Sequence, residues 1–165
     1  KLEEMGAEIE ERGDAVLLRS SGRLKSVNLK TMPYPGFPTD MQPQLTVCLS
    51  VADGTSIVTE TVSDSRYKFV GELTRMGADI QVDGKTAVVK GVERLSGAKV
   101  KACDLRAGAA MVIAGLSAKG RTRIDGIHHT ERGYEDMCGK LRDIGADIAL
   151  VENTTPEENT EKAMA

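Results

Sequence analysis

The sequence predicts an α/β fold, of the α+β type, made of repeated units with helices inside and sheets outside. A short motif occurs three times, the same order of strand and helix signals follows its first two copies, and two long apolar segments have helical length. Repeats that cannot bury their apolar faces alone must pack on neighbours, so we expect the two apolar helices to pack together. With 165 residues, 40% of them apolar, the chain can form one globular core.

The repeated motif has the pattern L-x-x-[MI]-G-A-[ED]-I. Its copies are LEEMGAEI at 2–9, LTRMGADI at 73–80 and LRDIGADI at 141–148. Each copy predicts the end of a helix, a glycine in the left-handed conformation and a strand that follows at once. We therefore expect two nearly complete repeats, over about 7–76 and 77–144, framed by the end of one unit before and the first strand of another after.

The same elements are expected in each repeat. Both open with a hairpin, over 8–19 and over 78–90, and the second hairpin turns at the Asp-Gly pair 83–84. Each repeat closes with an amphipathic helix, because apolar residues recur there at helical spacing. The remaining elements expected are strands near 26–30, 98–102, 55–62 and 121–127, and long helices near 40–52 and 104–118.

Composition and charge argue against several classes of partner. The net charge is −3, with 22 basic and 25 acidic residues spread along the chain, so no nucleic-acid or membrane surface is indicated. Three Tyr, two Phe and no Trp offer no platform for stacking bases. No window reaches the roughly 18 apolar residues that span a bilayer, and the charged start is not typical of a signal peptide. We expect a cytoplasmic protein.

The cysteines and histidines predict no metal site. Cys48, Cys103 and Cys138 are odd in number and widely spaced, which argues against a disulfide framework and favours a reducing compartment. The adjacent His128 and His129 have no cysteine or carboxylate partners at ligand spacing. Cys103 has only a helix start nearby to activate it, so we expect a buried structural cysteine.

Carboxylates and arginines recur together in the two repeats. Asp40 and Asp104 begin the long predicted helices, while Arg66 and Arg132 begin the amphipathic helices, allowing a two-residue slip. Helix amino termini favour anions, so each Asp can be a simple cap, and the sequence alone favours that interpretation. An arginine there is either solvated or beside an anion. The recurrence of both types favours a shared anion site.

A stiff segment precedes Asp40. Three prolines and a glycine lie within residues 33–38, and proline fixes the backbone angle φ. A rigid approach would aim the start of the following helix, as a site with a positioned carboxylate requires. A merely rigid loop is the alternative.

Four strings resemble a known enzyme family. They are PYPGFPTDMQ at 33–42, GTSIVTETVSDSRYKF at 54–69, CDLRAGAAMVIAGL at 103–116 and HHTERGYEDMCGKLRDIGADI at 128–148. They closely resemble the UDP-N-acetylglucosamine 1-carboxyvinyltransferases, members of the EPSP synthase-like family, from residue 1 to about 151. The shikimate-pathway sibling, EPSP synthase itself, fits these strings poorly.

The resemblance implies a fold and a reaction. The family has two domains, each an inside-out α/β barrel of three βαβαββ units, with the active site between them. Residues 1–152 would be the carboxy-terminal domain, incomplete here. The sequence of residues 153–165 shows no period of its own, so we expect a disordered tail there. The implied reaction moves the enolpyruvyl group of phosphoenolpyruvate to the 3-hydroxyl of UDP-N-acetylglucosamine, the first committed step of peptidoglycan synthesis, with no cofactor.

The resemblance also implies roles for individual residues. Asp40 would take the proton from the sugar hydroxyl, Asp104 would be a second functional carboxylate, and Val62 would contact the UDP-sugar. The arginines would hold the carboxylate and phosphate of phosphoenolpyruvate. The implied catalytic residues are Asp40, Asp104 and Arg132, and the implied substrate-binding residues are Thr39, Asp40, Val62, Arg66, Arg106 and Arg132.

Two departures from the family pattern limit what this chain can do alone. The family's general acid is a cysteine, sometimes an aspartate, on a loop of the other domain, and none of the three cysteines lies in that motif. The lysine-asparagine pair near the family's amino terminus is also absent. We expect the isolated chain to be inactive without its amino-terminal domain. A non-catalytic module that binds anions or nucleotide sugars, and a purely structural repeat domain, stay open as alternatives.

Overall fold

The computed structural model describes residues 1–151. It divides into a unit over Lys1–Tyr134 and a second unit that begins at Glu135. The predicted tail, 153–165, lies outside the described residues, so the tail and the domain boundary at 152 stay predictions. The strands are β1 (Glu8–Arg12), β2 (Ala15–Arg19), β3 (Leu29–Lys30), β4 (Thr55–Thr59), β5 (Asp79–Asp83), β6 (Thr86–Lys90), β7 (Lys99–Lys101) and β8 (Arg123–Asp125). The helices are α1 (Gln42–Ser50), α2 (Val70–Arg75), α3 (Leu105–Ser117), α4 (His128–Glu131) and α5 (Met137–Asp143).

The order of elements recurs along the chain, as the motif predicts. Two hairpin strands, a third strand, a long helix, a fourth strand and further helix follow one another twice. The predicted third strands are shorter than expected, and each is paired in parallel with the fourth strand of its own repeat. None of the helices over residues 1–151 combines the length and apolar character that a membrane crossing requires.

The three motif copies end their turns in the same way. Gly6, Gly77 and Gly145 have φ of 98°, 93° and 98°. In each copy the alanine that follows donates its N–H to the carbonyl of the leucine that opens the motif, at 3.0, 3.2 and 3.0 Å. These bonds define Schellman motifs, in which a left-handed glycine satisfies the last carbonyls of a helix.

The strand predicted after Gly145 is wrong. Residues 146–150 have no strand structure, whereas β1 and β5 follow the first two copies. Both β1 and β5 pair with a return strand across a glycine turn. The described residues after Gly145 supply no return strand, so extended backbone there would lack hydrogen-bond partners.

The largest sheet has four strands in the order β3-β4-β6-β5. β3 and β4 are parallel, and the other neighbours are antiparallel. Val58, Ala87 and Val89 are fully buried on one face, while Ile57 and Val88 are exposed on the other. One face therefore covers the core and the other meets solvent, as is common for sheets that contain antiparallel strands.

Helix α1 lies inside the first unit. Eight of its nine residues are buried, all except Cys48. It packs against α3, and Val47 joins the cluster that contains Met111, whereas Leu49 joins the cluster under the four-stranded sheet. The prediction that the two apolar helices pack together is confirmed. The three sheets described over residues 1–151 are open, and none of them closes into a barrel.

The two amphipathic helices differ in burial. Phe69, Leu73 and Met76, in and beside α2, are at most 1% exposed and pack with residues of β7 and α3 from the following repeat. No residue of α5 is buried, and Ile144 beyond it is 81% exposed. The described residues after α5 form no further elements that could cover this stripe.

Candidate active site

A carboxylate held by two arginines lies ahead of the interior helices. Asp40, in the 3₁₀ turn Thr39–Met41 that leads into α1, accepts two hydrogen bonds from Arg106. The Nε of Arg106 is 2.8 Å from Oδ1 of Asp40, and its Nη2 is 2.7 Å from Oδ2. This bidentate, charge-assisted contact fixes the plane of the carboxylate. Because α1 and α3 pack side by side, residues at their starts can meet.

Arg66 approaches the same carboxylate from a third segment. Its Nη2 lies 3.2 Å from Oδ1 of Asp40, and its Nε donates to Oγ1 of Thr39 at 3.0 Å. Arg66 begins the 3₁₀ turn that precedes α2, as the sequence predicted for the start of this helix. Its side chain is 13% exposed, against 53% for Asp40. Three elements thus deliver Asp40, Arg66 and Arg106 to one place.

The electrostatic effect of this cluster is to hold Asp40 ionised. The hydrogen-bonded guanidinium of Arg106 lowers the pKa of the Asp40 carboxyl, partial burial opposes the shift, and the charges of Arg106 and Arg66 add to it. The same hydrogen bond raises the pKa of Arg106. Asp40 therefore stays an anion, and a weak base, for as long as Arg106 is bound to it.

Asp104 caps α3. Its Oδ1 accepts the backbone N–H groups of Arg106 and Ala107, both at 2.8 Å, from an extended backbone conformation. The capping interpretation that the sequence favours is therefore confirmed for this carboxylate. Asp104 also orients the first turn from which Arg106 reaches Asp40. Its role in chemistry stays a prediction.

Arg132 is not at the start of a helix. It follows the last residue of α4, and α5 begins later, with Asp136 as a left-handed cap at φ 43°. The expectation for its place was wrong because Asp136 caps the amphipathic helix: its Oδ1 accepts the N–H of Gly139, in the first turn of α5, at 3.0 Å. Arg132 is exposed, and within residues 1–151 it makes no salt bridge. Its site role stays a prediction.

The segment around Arg132 packs on the first turns of α3. A β-carbon at Gly108 would lie 2.2 Å from the hydroxyl of Thr130, and one at Gly133 would lie 2.8 Å from a methyl of Leu105. A side chain at Gly108 would displace Thr130, and one at Gly133 would push the end of the Leu105 side chain aside. Arg132 is therefore carried on backbone that packs against the end of α3 where Asp104 and Arg106 lie.

Sequence reasoning missed a buried carboxylate beside the cluster. Glu60, 1% exposed, accepts the hydroxyl of Thr31 at 2.8 Å and that of Thr39 at 3.0 Å. The N–H groups of Val62 and Ser63 also donate to it, at 2.8 and 2.9 Å. Burial alone would raise the pKa of Glu60, but these four donors lower it. The one signal was a charged residue directly after an apolar strand.

The hydrogen bonds of Glu60 hold the backbone of Val62 and leave its side chain accessible. The Val62 side chain is 48% exposed, and its backbone N–H is fixed on Glu60. Thr39, Asp40, Val62, Arg66 and Arg106 are thus joined through hydrogen bonds among themselves and to Glu60.

Cys103 differs from its prediction. It is exposed, although it was expected to be buried. Partial burial of the thiol and the negative charge of Asp104 raise its pKa, so it has no thiolate character at neutral pH. Within residues 1–151, no three histidine, cysteine or acidic side chains are grouped closely enough to hold a metal ion.

Two arginines gathered at one place, one of them in a bidentate contact with a carboxylate, form an arrangement suited to binding anions such as carboxylates and phosphates. The family model described as EPSP synthase (3-phosphoshikimate 1-carboxyvinyltransferase) matches residues 1–141, and the chain belongs to this family.

Within this family, relatives of high sequence identity share one name. UDP-N-acetylglucosamine 1-carboxyvinyltransferases from Symbiobacterium thermophilum and Clostridium botulinum are 57% and 54% identical to the chain over 91% and 90% of its length. A relative of the same name from Desulfofundulus thermocisternus is 52% identical over 96% of the chain. The resemblance read from the four strings is confirmed by these relatives.

Solved structures agree with the fold. The enolpyruvyl transferase NikO from Streptomyces tendae matches 90% of this chain with a TM-score of 0.82 and 32% identity. EPSP synthase from Acinetobacter baumannii matches 92% of it with a TM-score of 0.60 and 22% identity, which shows a shared fold alone. The chain spans about a third of most of these proteins: 35% of the relative from Symbiobacterium thermophilum, 36% of the one from Clostridium botulinum and 34% of NikO. It spans 66% of the relative from Desulfofundulus thermocisternus.

Proposed function

We propose that the full-length protein containing this chain transfers the enolpyruvyl group of phosphoenolpyruvate to the 3-hydroxyl of UDP-N-acetylglucosamine. The observation that carries the proposal is the carboxylate of Asp40, held at a helix start by Arg66 and Arg106. The names of relatives that are 49–57% identical over 90% or more of the chain support the choice of acceptor.

Asp40 is the proposed base. Its two oxygens are engaged by Arg106, which makes it a weak proton acceptor. Phosphoenolpyruvate carries a carboxylate and a phosphate, both of which suit a guanidinium fork. We expect this anion to take over the Arg106 fork, so that the freed carboxylate can remove the proton of the sugar hydroxyl as the hydroxyl adds to the enol carbon.

The other predicted site residues complete the part of the site that this chain contributes. Arg66 and Arg132 bind the phosphoenolpyruvate end, Asp104 acts as the second carboxylate of the addition-elimination steps, and Val62 and Thr39 contact the UDP-sugar. The acid that protonates the methylene carbon comes from the amino-terminal domain. In the full-length protein each domain is an inside-out barrel of three βαβαββ units, to which the open sheets described here contribute.

The proposal includes a cellular setting. Both substrates are small phosphorylated metabolites, so the enzyme works in the cytoplasm, without a cofactor and without nucleic-acid or membrane partners. Its product commits the sugar to peptidoglycan. Cell-wall biogenesis, and through it cell shape and division, would then depend on this activity.

The test is phosphate release by the full-length protein in the presence of both substrates. Asp40→Asn keeps the size of the side chain but removes the base, so we expect kcat to fall by about 10²- to 10⁴-fold. The matched control is Asp14→Asn, the same change at an exposed residue of the β1–β2 turn, which should leave kcat unchanged. Equal kcat for the Asp40 variant and the wild type would refute the assignment.

The isolated 165-residue chain should release no phosphate, because it lacks the acid of the other domain. Release by the purified chain would contradict this part of the proposal. If the full-length protein binds UDP-N-acetylglucosamine but releases no phosphate, the non-catalytic binding module is favoured instead. If it binds neither substrate, the charged residues are caps and surface of a structural domain.

A further inference from the structure

The strongest feature outside the proposed reacting groups is the carboxylate of Glu60. It is 1% exposed, and within residues 1–151 it forms no salt bridge. A buried charge without an ionic partner is costly unless hydrogen bonds satisfy it. Four donors do so here: three meet at Oε1, and the hydroxyl of Thr39 meets Oε2. A site this well satisfied holds its donors in fixed positions.

Those donors come from three separate segments. Thr31 directly follows β3, Val62 and Ser63 lie just after β4, and Thr39 begins the turn into α1. β3 and β4 are parallel neighbours, so their carboxyl ends adjoin. The N–H of Thr61 donates to the hydroxyl of Thr31 at 2.9 Å, which closes the connection between the strand ends. The carboxylate of Glu60 accepts hydrogen bonds from all three segments.

Thr39 links Glu60 to the arginines and the carboxylate of Asp40. Arg66 donates its Nε–H to the oxygen of Thr39 at 3.0 Å, and Thr39 donates its own proton to Glu60 at 3.0 Å. The hydroxyl thus bridges a cation and an anion, and each hydrogen bond polarises the next. The same Arg66 donates to Asp40 through its Nη2.

We infer that Glu60 is a positioning residue for two parts of the proposed site, the sugar contact at Val62 and the base Asp40. It fixes the backbone at Val62, and through Thr39 and Arg66 it fixes the carboxylate of Asp40. This inference rests on the proposed function for the identity of the substrates. Glu60 acts through other residues, so it should influence both the binding of the acceptor sugar and the placement of the base.

Glutamine cannot reproduce this arrangement. With its oxygen toward the three donors at the Oε1 position, its NH₂ group faces the hydroxyl of Thr39, which then loses its acceptor. With the amide reversed, the NH₂ group faces three donors. Glu60→Gln therefore preserves volume while it breaks the hydrogen bond that Thr39 donates to residue 60, and it removes the anion from the chain of bonds that leads through Thr39 to Arg66.

The experiment uses the full-length protein and two pairs of variants. Glu60→Gln is compared with Glu93→Gln, the same change at a side chain that is 81% exposed. Thr31→Val, which removes the hydroxyl at nearly constant volume, is compared with Thr31→Ser, which keeps it. For each protein, kcat and the KM of both substrates are measured with the melting temperature.

We expect Glu60→Gln and Thr31→Val to lower kcat about tenfold to a hundredfold, as small misplacements in active sites do, and to raise the KM for UDP-N-acetylglucosamine. Thr31→Ser and Glu93→Gln should stay within about twofold of the wild type. A purely stabilising role would lower the melting temperature and the active fraction but leave both KM values unchanged. That pattern, or wild-type kinetics in both disruptive variants, overturns the inference. If Glu60→Gln does not fold, the Thr31 pair decides.

Hydrogen exchange separates this inference from the proposed function. The amides of Val62 and Ser63 should exchange faster in Glu60→Gln than in Glu93→Gln, whether or not the wild type is a transferase. Faster exchange in a protein without transferase activity would discard the proposed function and keep the role of Glu60 in fixing these segments. Unchanged exchange at both amides overturns the role itself.

Discussion

Asp104 offers a way to separate capping from chemistry within one side chain. Its Oδ1 accepts two N–H groups of α3 at 2.8 Å, and its position in the family resemblance implies a catalytic carboxylate as well. Asp104→Ala removes both functions. Asp104→Asn keeps a capping oxygen, because asparagine ranks with aspartate as an amino-terminal cap, and removes only the charge.

The two substitutions should differ in stability by a measurable amount. Loss of the cap in Asp104→Ala costs about 1 kcal/mol, within the 0.5–2 kcal/mol that such changes cost. For a domain of 150–250 residues, this lowers the melting temperature by about 2–4 °C. Asp104→Asn loses only the charge–dipole part, about 0.3–1 kcal/mol, which partial exposure moves toward the low end.

The assay pairs thermal unfolding of the full-length protein with phosphate release. If the carboxylate also acts in the reaction, Asp104→Asn should lower kcat about a hundredfold or more while the melting temperature stays close to that of the wild type. Wild-type turnover by Asp104→Asn would show that the residue is only a cap. An unchanged melting temperature in Asp104→Ala would refute the energetic account of the cap.

Two further predictions concern charge and backbone. The pKa of Asp40 is lower in the folded protein, so its ion pairs stabilise the fold above the ordinary aspartate pKa, and this stabilisation is lost as pH falls through the lowered pKa. Arg106→Gln should therefore flatten the acid limb of a plot of melting temperature against pH. The effect should be at most about 1 kcal/mol, because the pair is partly exposed; an identical acid limb would count against it. Gly77→Ala should cost about 1–2 kcal/mol in urea unfolding because φ is 93°, although nothing crowds the added carbon. The control Gly71→Ala, in open space inside α2, should be neutral or stabilising, and equal costs for the two would refute the strain argument.

The features that the sequence predicted well are those encoded by near neighbours. The turn glycines, the hairpin over residues 78–90 and the apolar segments of α1 and α3 each depend on signals a few residues apart. Recurrence added a longer-range clue, since it placed Asp40 and Asp104 just ahead of the two interior helices, although only Asp104 caps its helix. The same reasoning failed for Arg132, because the left-handed cap at Asp136 shifts the start of α5 beyond it.

The long-range contacts that assemble the candidate site could not be predicted from such local signals. Arg106 and Asp40 are 66 residues apart, and only the packing of α1 on α3 brings them together. In the sequence, Glu60 looks like an ordinary solvated residue at the end of a strand. Only the tertiary structure, which packs the end of β3 and the turn before α1 around it, shows that it is buried. The sequence predicted which residue types would gather, whereas their partners depend on tertiary structure.

The four-stranded sheet crosses the boundary between the two copies of the motif. Two of its strands, β3 and β4, precede Gly77, and the other two, β5 and β6, follow it. All strands of this sheet therefore lie between residues 29 and 90. This segment does not coincide with either sequence repeat, because it contains the end of the first repeat and the beginning of the second. Excising one sequence copy would split both this ladder and the apolar cluster beneath it. The sequence repeat and the hydrogen-bonded sheet are thus different stretches of chain, and a fusion or dissection of the protein should keep residues 29–90 together.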